Sequence, residues 1–134
     1  MLKQYGFCRD VNLPFGETLS TTISALQTTG FEIVASLDMH SLTVDDHPHT
    51  VLKVWDQTLV RRILREEPAL SLFVPFSVVV HGRGPDHSTV CMPDPIQMFQ
   101  GAEGSTVEAI AHNLNSRIWS AYLKVVTKQA LPLA

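Results

Sequence analysis

The segment FEIVASLDMH, Phe31 to His40, alternates between apolar and polar positions. Strand side chains point to opposite faces in turn. Phe31, Ile33, Ala35, Leu37 and Met39 therefore fall on one face, and Glu32, Val34, Ser36, Asp38 and His40 on the other. Ahead of this segment, Phe15, Leu19, Ile23 and Leu26 recur at helical spacing, with Pro14 suited to the first turn and Gly30 to the end. Gln4 to Asn12 reads as a first strand, carrying β-prone bulk at Tyr5, Phe7 and Val11. Thr50 to Trp55 reads as a further strand. Asp56 then caps a second helix whose Leu59, Val60, Ile63 and Leu64 face inward and which Pro68 closes.

Leu72 to His81 is the longest apolar run, and Pro75 interrupts it. With Ser88 to Met92 it forms two strands around a turn of Gly82, Gly84, Pro85 and Asp86. Proline has no N–H to donate, so it belongs at an edge, a strand start or a bulge. A bend at Pro75 is expected to aim Phe76 at the core and to curve the sheet. Ser105 and Glu108 in STVE have the form of a capping box, and Val107, Ile110, Ala111, Leu114, Ile118 and Tyr122 mark a long amphipathic helix after it. The order β-α-β-β-α-β-β-α predicts an α+β fold, a mostly antiparallel five-stranded sheet with helices packed on one face.

The chain has 134 residues, which fits a single domain over 1–134. Its formal charge of −3 and dispersed cations argue against sequence-independent nucleic-acid binding. Only Arg61, Arg62 and Arg65 cluster, on a helix beside Glu66 and Glu67, as a solvated face would. No apolar run approaches a membrane span, and MLKQYGFCRD has no export-type apolar core. Cys8 and Cys91 lack metal-like spacing and read as reduced, buried thiols in a cytoplasmic protein.

The chemistry on offer is sparse. DDHPH, Asp45 to His49, places two histidines and two carboxylates within five residues, so His47 and His49 are candidate metal ligands. The competing reading is a polar turn bent by Pro48, with Asp45 or Asp46 in an Asx-type hydrogen bond. There is no GxSxG elbow, and the GRG at Gly82 to Gly84 lacks the rest of a phosphate loop. Trp119 and Tyr122 read as packing anchors. No cofactor is identifiable.

LPF leading into a helix, GFEIVASLDM, the block EEPALSLFVPFSVVV and then DPIQM occur in one order. In that order the chain resembles the domain of unknown function 302 family of bacteria and archaea, from about Tyr5 to the last helix. The most specific pieces are Leu72 to Val80 and Asp94-Pro95 with Met98. The resemblance implies a compact α+β domain that forms homodimers, and no established activity. Where many relatives have Cys-Asn before the second helix, this chain has Trp55 and Asp56; where many have Cys after the proline of the second block, it has Phe76. Thiol chemistry at those positions does not carry over.

A sheet covered on one face leaves the other to explain. If Leu37, Met39, Leu52, Val54, Phe76 and Val78 face the helices, then Val34, Ser36, Asp38, His40, Lys53, Trp55, Phe73, Ser77, Val79 and His81 face away. Such a mixed, half-apolar face suits a partner subunit or a small ligand, with His81, Ser77, Trp55, Lys53, Asp38 and His40 as binding residues. The expectation is a homodimeric module holding a ligand or partner there. The rivals are a small enzyme pairing His81 or His40 with Asp38 as acid and base, and a metal-binding module at His47 and His49.

Overall fold

The computed structural model describes residues 6–102 and 104–130, with side chains to residue 127. It contains five strands, β1 (Gly6–Val11), β2 (Glu32–Asp38), β3 (His49–Trp55), β4 (Phe76–Gly84) and β5 (His87–Pro93). The helices are α1 (Phe15–Thr28), α2 (Gln57–Glu66), α3 (Pro95–Met98) and α4 (Ser105–Ala130). The expected order holds, with α3 and two short 3-10 turns, His40–Leu42 and Pro68–Leu72, added to it. Gln4 and Tyr5 of the expected first strand lie outside the described residues.

All pairings are antiparallel and the sheet order is β1-β5-β4-β3-β2, so β1 and β2 are the edges. On the covered face Leu52 and Val54 of β3, Phe76, Val78 and Val80 of β4, and Val90 and Met92 of β5 are at most 2% exposed. Val107, Ile110, Leu114, Ile118 and Val125 of α4 bury the matching helix stripe. α1 presents a small-residue face instead: Thr18, Thr22, Ala25 and Leu26 are its buried residues, while Leu19 and Ile23 are only partly covered. The two threonines are satisfied locally, donating to Pro14 O at 2.9 Å and Thr18 O at 2.7 Å.

Three local expectations are corrected. Pro75 is not inside a strand: Leu72 and Phe73 end the 3-10 turn, the Val74–Pro75 bond is cis, and β4 starts at Phe76. The phase after it is as expected, with Phe76 and Val78 inward and Ser77, Val79 and His81 outward. On β2 the alternation breaks at a bulge, because Ile33 pairs with Val54 but Ala35 pairs with Lys53, leaving Val34 extra. Beyond it Ala35 and Leu37 share the face of Lys53 and Val51, while Ser36 and Asp38 share that of Leu52 and Thr50. Leu37 is accordingly 47% exposed rather than in the core. The long helix begins at Ser105 itself, with Glu108 N donating to Gly104 O at 3.3 Å, so the STVE box sits one residue late for capping.

Two polar devices lock the covering layer. Asp56 accepts from Leu59 N at 3.2 Å as the α2 cap, as its position implied. Arg117 of α4 donates to the other oxygen of Asp56 at 2.9 Å and to Thr29 O at 2.9 Å, and its guanidinium lies 4.7 Å from the Phe31 ring centre. One side chain thus ties α4 to the end of α1 and the start of α2. Arg117→Met is expected to cost about 1–3 kcal/mol, since it strips a half-buried carboxylate and a carbonyl of their donor. Urea unfolding measures it; a change within about 0.5 kcal/mol would mean the cluster is only a surface contact.

Candidate functional site

The uncovered face carries, row by row, the outward residues of each strand. Cys8 of β1 stands directly opposite Cys91 of β5, whose other neighbour is Val79 of β4. One step along, Lys53 of β3 faces Ser77 of β4. The Leu72–Pro75 segment folds over this end of the face from one side, and Pro93 with Met98 closes it from another. The result is a pocket of about 280 Å³ lined by these residues with Gly6, Phe7, Phe73 and Met92. The lining is mainly apolar, and its polar handle is Lys53, whose Nζ donates to Ser77 Oγ at 2.7 Å. Pocket volumes of about 300 Å³ and above commonly hold small ligands, so this one suits a compact molecule.

The floor holds a covalent group. Cys8 and Cys91 form a disulfide across 83 residues of sequence, with Cα atoms 4.0 Å apart. The reading of both as reduced thiols is therefore corrected. Each is half-buried and lines the pocket. Alternation alone placed Cys91 outward, between inward Val90 and Met92. That β1 is the strand beside β5 was not readable, because first and last strands meet only through the sheet order.

At the opposite end of the same face is a histidine cluster. His49 and His81 are direct cross-strand partners with ring centres 4.7 Å apart, and the His47 ring lies 6.5 Å from that of His81. Asp45 Oδ2 is 3.3 Å from His81 Nε2, an ion-pair distance without hydrogen-bond alignment, since that nitrogen and His49 Nδ1 are buried without a hydrogen-bond partner. Asp45 also accepts from His47 N at 3.2 Å, the expected Asx turn. Among the described residues, no group of three or more His, Cys, Asp or Glu stands arranged to hold a metal ion. The turn is held against β4 by Gly82, which donates to Pro48 O at 2.8 Å. A side-chain carbon at Gly82 would stand 2.9 Å from Pro48 Cγ, so only glycine allows this approach.

The structure divides the sequence-derived site residues. Lys53 and Ser77 meet in the pocket, whereas His81 joins the histidine cluster. Trp55 donates to Glu32 Oε1 at 2.7 Å on the outward face. Asp38 is turned to the other face by the bulge and accepts from His40 N at 3.0 Å; the His40 ring faces Asp46 at 3.1 Å in an exposed turn. Asp38 and His81 therefore do not meet as an acid–base pair. Phe73, placed outward on a strand by the sequence, reaches the pocket from the 3-10 turn instead. The two cysteines, Pro75 and Met98 were not foreseen as pocket residues.

The sequence model described as "Domain of unknown function DUF302" matches residues 7–125. Among solved structures, the crystal structure of an uncharacterized conserved DUF302 protein from Bacillus stearothermophilus superposes with a TM-score of 0.77 at 18% identity. The match covers 92% of this chain and 99% of that one. No curated protein matches.

The histidine cluster gives stability a pH dependence. Burial, and then the neighbouring His81, push the His49 pKa below its ordinary value, against an opposing pull from Asp45. The unfolded chain then takes up the proton first, so stability is intact above the unfolded pKa of about 6.5 and declines as pH falls through it. The Asp45 carboxyl is held low chiefly by the His47 backbone N–H, with burial opposing and His81 assisting, so its contribution is lost only at pH below the ordinary 3.8. Melting temperature is expected to fall between about pH 7.5 and about pH 5.5, and His49→Gln to flatten that fall. A slope unchanged in His49→Gln would assign it to other groups.

Proposed function

The chain belongs to the DUF302 family, and for it we propose a binding function: the uncovered sheet face takes a small ligand in the pocket between the Leu72–Pro75 segment and β5. The observation that carries this reading is the pairing of an apolar lining with one cation, Lys53, at its side. Ser77 is a neutral partner, and none of the ion pairs among the described residues includes Lys53. A compact molecule with an apolar body and a carboxylate matches that arrangement, because a charge-assisted hydrogen bond to Lys53 offsets the desolvation of both groups. A cytoplasmic setting, which we also propose, requires this disulfide to be of the transient, redox-active kind, because structural disulfides are rare among reducing thiols.

Self-association is a second reading and rests on a different patch. β2 is an edge strand with Val34 and Leu37 exposed at 42% and 47%, and Leu42 and Val44 stand exposed in the turn after it. Unpaired strand edges pair readily with a second copy, here antiparallel along β2. Homodimer formation is thus proposed at that edge, leaving the pocket open.

A thermal-shift series of short-chain carboxylic acids tests the ligand reading. At about a hundred times Kd a ligand adds about 2.7 kcal/mol of stability, a readable rise in melting temperature. Val79→Trp, which fills the floor, and Lys53→Met, which removes the cation, are each expected to abolish most of it. A rise preserved in both variants would place binding elsewhere. For the second reading, light scattering on the eluting protein should give twice the chain mass, and Leu37→Glu should return the monomer; a monomeric parent would overturn it.

A further inference from the structure

A disulfide that serves only as a staple is best kept from attack by thiols. Cys8–Cys91 is instead on the face away from α1, α2 and α4, half-buried, in the floor of the pocket. Thiol–disulfide exchange needs an attacking thiolate with access to a sulfur, and a leaving sulfur whose charge is tolerated. The pocket supplies access, and Lys53 supplies positive charge on the same surface. Lys53 Nζ lies over β4, because it bonds Ser77 there, so it stands about one strand spacing from β5 and, since Cys91 is opposite Val79, two residues along from that cysteine on the same face.

The sheet does not depend on the bond to keep β1 in place. That strand has a six-residue register with β5; Val11 is fully buried, and the Phe7 ring stacks on Trp119 at 4.7 Å. Opening the bond therefore leaves both cysteines facing each other and able to close again.

We propose that Cys8–Cys91 is a thiol–disulfide exchange site whose substrate is a short thiol carrying a carboxylate, seated in the pocket with its carboxylate on Lys53. This rests on the ligand reading above and names the substrate class. In the first step the substrate thiolate forms a bond to one sulfur of the pair. The Cys–Cys bond breaks, and its electron pair leaves on the other cysteine, which takes a proton from water. A second substrate thiolate then attacks the mixed disulfide, releasing the oxidised small disulfide and the remaining cysteine, which is protonated in turn. Two small thiols are oxidised to one disulfide while Cys8–Cys91 is reduced to two thiols; the reverse direction consumes a small disulfide.

The test uses the oxidised full chain in native buffer with 3-mercaptopropionate and with uncharged 2-mercaptoethanol, following mixed-disulfide mass and free thiol. The expected result is exchange by the folded protein. In Lys53→Met the 3-mercaptopropionate rate should fall roughly tenfold further than the 2-mercaptoethanol rate, the equivalent of one lost charge-assisted hydrogen bond, since the uncharged thiol loses only the lysine's effect on the leaving sulfur. Lys53→Arg should restore the difference. Exchange that appears only at urea concentrations unfolding the chain would overturn the proposal and leave a structural staple. Equal effects of Lys53→Met on both thiols would overturn it too, leaving an ordinary exposed disulfide. The thiol-free 3-(methylthio)propionate separates the two readings: if it raises the melting temperature while native exchange is absent, the pocket reading stands and the exchange site falls. If it gives no rise and native exchange is also absent, both fall.

Discussion

The stripe on α4 from Val107 to Val125 covers one face of the sheet, and the rest of the molecule is arranged around that one-sided burial. Each fully buried Val, Leu or Ile of such an interface contributes about 1.5–3 kcal/mol relative to exposure, far more than any single polar contact at the surface. The helix layer is therefore committed to the inward residues of β3, β4 and β5, and Arg117 fixes where α1 and α2 lie beside it. Among the described residues the other face receives no helix beyond the end of the four-residue α3. What covers it is local: one segment ahead of β4 and one residue of α3, enough to shape a pocket over part of the sheet and leave the remainder open.

The open face has two ends with opposite electrostatic characters. Around Lys53 a cation is set among apolar residues and hydrogen-bonded to a neutral hydroxyl, so its charge is compensated by nothing the pocket itself contributes. Around His81 three imidazoles gather beside Asp45, and burial, then repulsion from His81, disfavours charging His49. The first end is suited to an anion. The second holds its imidazoles against β4 through Gly82 and the Pro48 turn, and its protonation bears on stability rather than on the pocket, which none of these histidines lines.

Strand phase was legible where one face was strongly buried. Phe76, Val78 and Val80 alternate with Ser77, Val79 and His81, and a one-residue slip would have put three large apolar groups into water. β2 was misread for the complementary reason. As an edge strand it has little burial to enforce its register, so the bulge at Val34 carries a small penalty and turns Leu37 outward and Asp38 away from the lysine. Pro75 was correctly seen as incompatible with a central strand, but it stands before the strand rather than bending it. The pairing of Cys8 with Cys91 depends on which strands become neighbours, a property of the whole sheet that neither local sequence contains.

The disulfide acts on stability and on the site at once, and the two effects are linked. Closing 83 residues removes unfolded-state entropy worth about 4.5 kcal/mol in the chain-entropy account, against a typical domain stability of about 5–15 kcal/mol. Reduction therefore brings the chain closer to its unfolding threshold without removing a core contact, because Val11 and Phe7 keep β1 docked. A ligand resting on the pocket floor also touches the bond whose state sets that margin. If it binds the oxidised and reduced floors unequally, thermodynamic reciprocity requires the redox state to change its affinity by the same factor as it changes the redox equilibrium. Such a coupling would need no relay through the core, since the cysteines are themselves part of the pocket wall.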